Sequence, residues 1–396
     1  MNNKNFNSYL KKLIGNNNIN IKNKNGNSAL MLAVSKQNKE ICELLIKAGA
    51  KIDIQNNDGN TALILAVSKQ NKEICELLIK AGANIDIQNN DGNTALMIDL
   101  DIDTRNYNKI IQIYKLLIDN KANINIQNND GETALIIASF AFRNNKEKLE
   151  LFELLIKNKA NINTQDKNGN TALLNLLKKE DNINSESIEK EKEICKLLIK
   201  NGANINIQDK IGKTALMNTI IFDNKEICKL LINEGAKIDI QNNDGNTALI
   251  EASIAGSKDI CELLINAGAN IDIQNNEGNT ALMYVIYPKN IEICKLLINA
   301  GANIDIQNIY GVTALKHANK WQNKEINEIL KKKQPKEDQK GGKYIIRKNL
   351  KISKESLDLK MKKVEELKKI CKKIGISGYS NLKKKDLIKI LSKKSK

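Results

Sequence analysis

The chain has 396 residues and carries 63 basic against 46 acidic side chains, a formal net charge of +17. It contains one histidine, His317, which excludes mechanisms and metal sites that need two. The sequence contains no phosphate-binding glycine loop and no dinucleotide-binding glycine string. We therefore expect no catalytic residues, no metal and no cofactor, and we interpret His317 as structural or surface-exposed.

The charge divides the chain in two. Residues 331–396 hold 24 Lys or Arg and 7 Asp or Glu, so the whole excess of +17 lies there and residues 1–330 are neutral. A basic tail of this kind indicates a contact with nucleic acid or with an anionic membrane, whereas a neutral body favours a protein partner. The sequence has no signal peptide and no transmembrane run, so we expect an intracellular protein, cytoplasmic or nuclear and not secreted.

The neutral part repeats itself. The string Ser-Ala-Leu occurs once and Thr-Ala-Leu eight times, and five of the eight intervals are 33 residues long. The nine copies begin at Ser28, Thr61, Thr94, Thr133, Thr171, Thr214, Thr247, Thr280 and Thr313. A period near 33 is typical of a solenoid, in which each unit buries its apolar face by stacking on its neighbours.

Each repeat contains signals for a turn and two helices. Gly59 suits a turn position with positive φ, and Asp58 is predicted to bond its own backbone there. Thr61 is the predicted N-cap of the first helix, and Gly82 suits the left-handed position that ends the second. The apolar stripe of the second helix consists of Ile74, Leu77 and Leu78.

This pattern resembles the ankyrin repeat, a turn and two antiparallel helices joined to the next unit by a hairpin-like loop. The resemblance covers residues 8 to 330 and implies an all-α solenoid of about nine repeats over 23–330, with a capping half-repeat over 1–22. It also implies an unidentified protein partner, and we expect a monomer. Every copy has Ala where the family usually has Pro in its Thr-Pro-Leu-His string, and none has His.

Six of the seven cysteines occupy one place in their repeats, two residues before the Leu-Leu-Ile string. They are Cys42, Cys75, Cys195, Cys228, Cys261 and Cys294. Equivalent residues on stacked helices lie about 8–10 Å apart, which is too far for a disulfide. Free, buried thiols are therefore predicted, and they favour a reducing compartment.

The candidate protein-binding residues lie where the repeats differ, mostly after Thr-Ala-Leu, because the loop tips are nearly uniform. Aromatic and Arg side chains are the types that contribute most to interface energy. They are Phe140, Phe142, Arg143, Phe222, Tyr284, Tyr287, Tyr310 and Trp321. Alternatively, some of them fill the groove between helices. The repeats that begin at Thr94, Thr133 and Thr171 carry extra residues between their helices, which we interpret as one protrusion, either a specificity feature or a tolerated insertion.

The basic tail is predicted to be a separate module. Residues 331–342 indicate a linker, and 343–396 indicate two short helices around a Gly-Tyr turn. The first apolar stripe is Val364, Leu367, Ile370 and Ile374, and the second is Leu387, Ile388 and Leu391. With Gly378-Tyr379-Ser380 between the stripes, the module resembles the SAP motif and the N-terminal helical module of transcription terminator Rho.

In those families the module binds nucleic acid, so the resemblance implies DNA or RNA as a partner. The candidate nucleic-acid contacts are Lys372, Lys373, Tyr379, Lys383, Lys384 and Lys385. The last three lie at the start of the second predicted helix, where unpaired N–H groups also favour anions. The alternatives are a solvated basic hairpin without a ligand and a polybasic membrane or import signal.

Two functions remain open from the sequence. One is an adaptor, in which the solenoid holds a protein and the tail anchors it on nucleic acid. The other is a pure protein-interaction module, of the host-factor or ubiquitin-ligase adaptor type, whose tail binds protein or acts as a targeting signal. Residues 343–396 show no F-box pattern, which favours the adaptor. The abundance of Asn, Ile and Lys indicates an A/T-rich genome, and the chain resembles ankyrin proteins of giant viruses and protists.

Overall fold

The structure is a computed structural model, and its described residues form helices and connecting loops without any strand. The described ranges are 19–98, 107–141, 146–178, 185–286, 290–321 and 323–333. The chain divides into two units, Met1–Leu330 and Lys331–Lys396, and nearly all described residues belong to the first. Nine consecutive helix pairs lie in the described ranges, which confirms the predicted all-α solenoid.

The repeats are numbered one to nine from the copy at Ser28 to the copy at Thr313. Their first helices are α1 (Ala29–Ser35), α3 (Ala62–Ser68), the 3-10 helix Ala95–Met97, α6 (Ala134–Ala141), α8 (Ala172–Leu176), α10 (Ala215–Ile221), α12 (Ala248–Ala255), α14 (Ala281–Tyr284) and α16 (Ala314–Lys320). Their second helices are α2 (Lys39–Lys47), α4 (Lys72–Lys80), α5 (Tyr107–Asp119), α7 (Lys146–Lys157), α9 (Ser185–Lys200), α11 (Lys225–Asn233), α13 (Lys258–Asn266), α15 (Ile291–Asn299) and α17 (Lys324–Lys333).

The threonine of each Thr-Ala-Leu string lies at the start of a first helix. In repeat two the Thr61 hydroxyl accepts a hydrogen bond from the Ile64 N–H at 3.2 Å, which confirms the predicted N-cap. Repeats three and eight lack the side-chain cap bond, and the first helix of repeat three is only a single 3-10 turn. The buried Thr94 hydroxyl consequently has no hydrogen-bond partner among the described residues.

The core is a continuous layer of apolar side chains from both helices of every repeat. Leu63 and Ile64 of α3 and Ile74 and Leu78 of α4 are all at most 2% exposed. Stacking is therefore what buries each unit, since one pair of short helices has too little apolar surface to be stable alone.

The six cysteines that share one place in the repeats are free and buried, as predicted. Burial raises the pKa of the Cys75 thiol to about 12 and that of the Cys261 thiol to about 11. The reactive species is the thiolate, so burial and the raised pKa both disfavour reaction of the Cys75 and Cys261 thiols near neutral pH. All six cysteines belong to the apolar core, where the Cys261 sulfur lies 3.8 Å from the Ser253 hydroxyl of the first helix of the same repeat. Cys371 lies outside the described residues.

The long repeats place some of their extra residues in longer second helices. Helices α5, α7 and α9 have 13, 12 and 16 residues, whereas α4 has nine. Two of these helices carry an aromatic residue at the cysteine position: Tyr114 is 1% exposed and Phe152 is fully buried. The Tyr114 hydroxyl donates to the Ile98 carbonyl oxygen in the loop after the short 3-10 helix. Segments 99–106, 142–145 and 179–184, to which the predicted protrusion belongs, lie outside the described residues.

The hairpin of repeat two is held by an asparagine rather than by the predicted aspartate, and in repeats five and six Asp166 and Asp209 take the place of this asparagine. The Asn56 side-chain oxygen accepts hydrogen bonds from the Asp58 and Asn60 N–H groups, at 3.0 and 2.8 Å. The prediction that Asp58 bonds its own backbone was therefore wrong, because the acceptor lies two residues earlier. Gly59 has φ +78° and Gly82 has φ +89°, so both positive-φ predictions are confirmed.

A ladder of glutamine side chains joins the hairpins. In repeat seven the Gln241 amide donates to the carbonyl oxygen of Gly245 in its own hairpin, at 2.6 Å, and to that of Gln274 in the next, at 3.0 Å. The same pair of bonds is made by Gln55, Gln88, Gln127, Gln165, Gln208 and Gln274. The near-uniform loop residues are thus explained by hydrogen bonds between neighbouring repeats.

The last repeat is a polar cap. In the register of repeat two, polar residues replace four apolar ones on the surface that a tenth repeat would cover. The replacements are Lys316 for Ile64, Asn319 for Val67, Asn327 for Cys75 and Lys331 for Ile79. The Asn327 amide donates to the Asn319 side-chain oxygen within this surface. Terminal solenoid repeats need such a polar outer face for solubility.

Candidate protein-binding face

In repeats seven and eight, one side of the first helix lies beneath the hairpin that precedes it. The Glu251 carboxylate of α12 accepts hydrogen bonds from the Asn242 and Asn246 amides of the repeat-seven hairpin, at 2.9 and 3.0 Å. In repeat eight the Tyr284 hydroxyl, one repeat further along, accepts from the Asn275 amide at 2.8 Å. Residues three and four positions later on a helix share its face. The hairpin tips and this helix face together are called the hairpin-side face.

Large apolar side chains are exposed on this face in repeats six to nine. Ile221 and Phe222, three and four positions after the residue equivalent to Glu251, are 51% and 39% exposed. Ile254 of α12 is 44% exposed, and Trp321 at the end of α16 is 48% exposed. At the hairpin tips the exposed apolar residues are Ile211, Ile309 and Tyr310. Clusters of this kind on an otherwise polar surface mark interaction sites.

The predicted protein-binding residues fall into three groups. Phe222, Tyr310 and Trp321 are exposed on the hairpin-side face. Tyr284 is half-buried, and its hydroxyl is held by the hairpin, so it belongs to the floor of the face. The remaining four lie outside the described side chains: Phe140, Phe142, Arg143 and Tyr287.

Sequence reasoning missed Ile211, Ile254 and Ile309. It treated the hairpin tips as uniform, although Lys210-Ile211-Gly212 and Ile309-Tyr310-Gly311 depart from the usual Asn-Asp-Gly. The candidates were aromatic residues and arginine, so Ile254, which takes the place of the polar Ser68 of repeat two, was not among them. A position-by-position comparison of the repeats identifies all three, because each is an apolar residue where repeat two has a polar one.

The second helices, by contrast, carry charges that pair with each other. Lys225 Nζ lies 2.7 Å from an Asp259 oxygen, and Lys258 and Lys295 link α13, α15 and α17 through acidic partners in the same way. The hydrogen bond from Lys225 lowers the pKa of the Asp259 carboxyl. These pairs are solvent-exposed, so water and salt screen them and they add little to stability. In repeats six to nine, exposed large apolar side chains therefore distinguish the hairpin-side face from the described second helices.

His317 lies on α16 in the register of Leu65. Its Nε2 atom is buried without a hydrogen-bond partner among the described residues. Burial, and to a smaller extent the positive charge of Lys320, lower its pKa, so the imidazole is neutral at neutral pH. No group of three or more His, Cys, Asp or Glu residues in the described ranges could hold a metal ion.

The six candidate nucleic-acid contacts, from Lys372 to Lys385, lie outside the described residues. None of the described helices combines the length and the apolar character needed to cross a bilayer. The contacts that the structure describes are therefore those of the solenoid.

Comparison with known families gives two matches. The family described as ankyrin repeats (3 copies) matches residues 1–89, 100–182, 183–275 and 267–340. The family described as Rho termination factor, N-terminal domain, matches residues 358–396. No curated protein matched the chain. The repeat matches span most of the sequence and coincide with the nine helix pairs, and the chain accordingly belongs to the ankyrin repeat family.

Proposed function

We propose that residues 23–330 form a scaffold that binds a protein partner through the hairpin-side face of repeats six to nine. The observation that carries this proposal is the exposure of Ile221, Phe222, Ile254 and Trp321, between 39% and 51%, on one helix face. Exposing such side chains to water is unfavourable, by about 25 cal/mol per Å² of apolar surface. A partner that covers them gains that free energy.

The chemistry of the face supports binding rather than catalysis. The only histidine has its Nε2 atom buried, and the six described cysteines are buried in the core, away from any substrate in solution. The uniform hairpin residues are already engaged in the glutamine ladder, so selectivity has to come from the positions where repeats differ. Those positions hold the exposed apolar groups of repeats six to nine.

The proposal is tested by returning the exposed residues to those that repeat two carries in the same register. The changes are Ile221→Ser and Ile254→Ser, as at Ser68, and Phe222→Lys and Trp321→Lys, as at Lys69. Loss of two or more hot spots should weaken partner capture by about tenfold or more. The measurement is quantitative mass spectrometry of proteins captured from lysate by the full chain and by the variant, with matching circular dichroism spectra and melting curves.

A control variant with Ser35→Ala and Lys69→Ala changes the same register in repeats one and two, and it should leave capture unchanged. If the four-residue variant captures the same proteins in the same amounts as the unmodified chain, the proposed face is wrong.

We also propose that the tail, with 331–342 as its linker and 343–396 as its module, binds nucleic acid. The match of residues 358–396 to the Rho N-terminal domain and the net charge of +17 confined to 331–396 support this proposal. The six candidate contacts, including Lys383, Lys384 and Lys385, all lie within the matched segment. The free thiols and the basic tail favour an intracellular setting, cytoplasmic or nuclear.

Phosphate contacts predict a strong salt dependence. If the tail neutralises about four to six phosphates, log K for duplex DNA should fall with log salt at a slope of about −4 to −5. Lys383→Ala, Lys384→Ala and Lys385→Ala together should weaken binding to every sequence and flatten that slope. The measurement is a fluorescence-anisotropy titration of the full chain at several salt concentrations, with single-stranded DNA and RNA in parallel.

The control is Leu387→Asp, which should remove binding by disrupting the apolar stripe rather than a phosphate contact. If the full chain forms no complex with any nucleic acid at low salt, the tail acts instead as a protein-binding or targeting element. Unchanged affinity after the three lysine substitutions would move the contact to Lys372, Lys373 and Tyr379.

A further inference from the structure

We infer that the hairpin-side face of repeats six to nine binds an amphipathic helix of its partner, on which two basic side chains lie between two apolar ones at heptad spacing. This inference rests on the proposed protein-binding function and specifies the chemistry of the partner. It follows from the sequence of side chains along the hairpin tips, from the hydrogen bonding of the tip backbone and from the second apolar row beneath the tips.

The tip residue just before the hairpin glycine changes in a regular order. It is Ile211 in repeat six, Asp244 in repeat seven, Glu277 in repeat eight and Tyr310 in repeat nine. All four are exposed, with Ile211 at 56% and Tyr310 at 74%. These repeats are 33 residues apart without insertions, so the four side chains follow one another from tip to tip in a regular series: apolar, acidic, acidic, apolar.

The series has defined ends. In repeat five the same position is Asn168, which is neither apolar nor acidic, whereas the preceding lysine is common to both tips, as Lys167 and Lys210. At the other end, repeat nine is the polar cap of the solenoid. The acidic centre is reinforced by Glu251, whose half-buried carboxylate lies beneath the tips of repeat seven. Glu277 keeps one carboxylate oxygen available, since the Asn279 amide donates to the other.

The tips present side chains rather than backbone groups. The Asn243 N–H donates to the Ile211 carbonyl oxygen, the Asn276 N–H to that of Asp244 and the Ile309 N–H to that of Glu277, at 3.0–3.1 Å. An extended peptide laid along this row would find no matching backbone donors and acceptors, and its own polar groups would be buried unpaired. A helix satisfies its backbone internally, so it is the element that suits this surface.

Helix geometry also matches the spacing of the tips. Stacked repeats lie about 8–10 Å apart, and one heptad of α-helix rises about 10.5 Å. Side chains at i, i+7, i+14 and i+21 therefore reach four successive tips. Basic residues at i+7 and i+14 meet Asp244 and Glu277, while apolar residues at i and i+21 meet Ile211 and Tyr310.

The row beneath the tips receives the remaining apolar side of such a helix. Ile254 lies three positions after Glu251, which bonds to its hairpin, Ile221 has the same register in repeat six, and Trp321 lies four positions after His317. A helix between the two rows contacts the tips with one edge and these three side chains with the other. This requires an amphipathic partner, with basic groups restricted to the centre of one edge.

The test uses the full chain and two labelled helical peptides of identical composition. One has Leu, Arg, Arg and Leu at heptad spacing in an Ala- and Gln-rich helix, and the other has Arg, Leu, Leu and Arg at the same positions. Fluorescence anisotropy should show the first peptide binding at least about tenfold more tightly. A third peptide with the first order at three-residue spacing and interspersed prolines represents the extended alternative.

Two sets of variants locate the site with residues that other repeats already tolerate. Ile211→Asp and Tyr310→Asp introduce the residue type that repeat two has at this position, Asp58. Asp244→Asn and Glu277→Asn introduce the type that repeat five has there, Asn168. Each pair should weaken the first peptide by about tenfold, and the acidic pair should also reduce its salt dependence. The matched control, Asp58→Asn with Asp91→Asn, should change nothing.

Equal binding of the two helical peptides, or tighter binding of the extended one, would overturn the inference. Binding that survives both tip pairs would overturn it as well. These outcomes differ from a failure of the proposed function, which is read from partner capture. If capture depends on Ile221, Phe222, Ile254 and Trp321 while the peptides are not distinguished, protein binding stands and the helical partner does not.

Discussion

Replacing Gly245 with alanine is expected to destabilise the solenoid by more than about 3 kcal/mol. A Cβ atom at this position would lie 2.6 Å from both the backbone nitrogen and the side-chain oxygen of Asn276 in the next hairpin. The hairpin would have to move, which breaks the bond from the Asn276 N–H to the Asp244 carbonyl oxygen. The φ of +78° adds a conformational cost of about 1–2 kcal/mol for any residue with a side chain.

Gly268 supplies the matched control. It has φ +88°, but a Cβ atom there would meet nothing within 4 Å. Gly268→Ala should therefore show only the conformational cost of about 1–2 kcal/mol. Urea unfolding of the full chain, followed by circular dichroism, gives both values, and equal midpoints for the two variants would show that close hairpin contact does not limit the stack.

The second large effect is expected at Phe152. This ring is fully buried in α7, at the place where regular repeats have cysteine. Phe152→Ala removes most of a large side chain from a packed layer between neighbouring helices, and such changes cost about 3–5 kcal/mol because a cavity remains. Unfolding should begin in repeats three to five, since solenoid stability is a sum of local terms.

The control for this cavity is Cys195→Ala at the same place in repeat five. It removes a single sulfur atom and should cost about 1 kcal/mol. Urea unfolding monitored by hydrogen exchange compares the two variants and shows which repeats open first. If Phe152→Ala is no more destabilising than Cys195→Ala, the ring does not fill the interface as the structure indicates.

The parts of the fold that were predictable are those set by local chemistry repeated in register. A cap such as Thr61 and a turn glycine such as Gly59 act on their own backbone, so a single repeat is enough to identify them. The shared place of the cysteines likewise indicated a core position, because an interior site recurs with the repeat.

The parts that were missed depend on contacts between repeats. The Asn56 side chain, and not that of Asp58, holds its hairpin, and its amide also donates to the Asn27 side-chain oxygen of the preceding hairpin. Both residue types suit the turn equally well in one repeat. The first helix of repeat three is a single 3-10 turn after Thr94, just before the insertion in that repeat. No local sequence signal predicts this shortening. The exposure of Ile211 depends on how its hairpin packs against the neighbouring hairpins, and the sequence of one repeat does not contain that information.

The glutamine ladder makes the repeats interchangeable. Each hairpin presents the same donor to the repeat that follows and the same acceptor to the one that precedes it, so any regular unit fits beside any other. Residues 29–63 and 62–96 differ at only two positions, which indicates a duplication of 33 residues. Such a duplication adds one more glutamine with its pair of hydrogen bonds and creates no new kind of contact between repeats. The length of the binding surface can change in whole steps during evolution, while the side chains at the tips diversify independently of the stack that supports them.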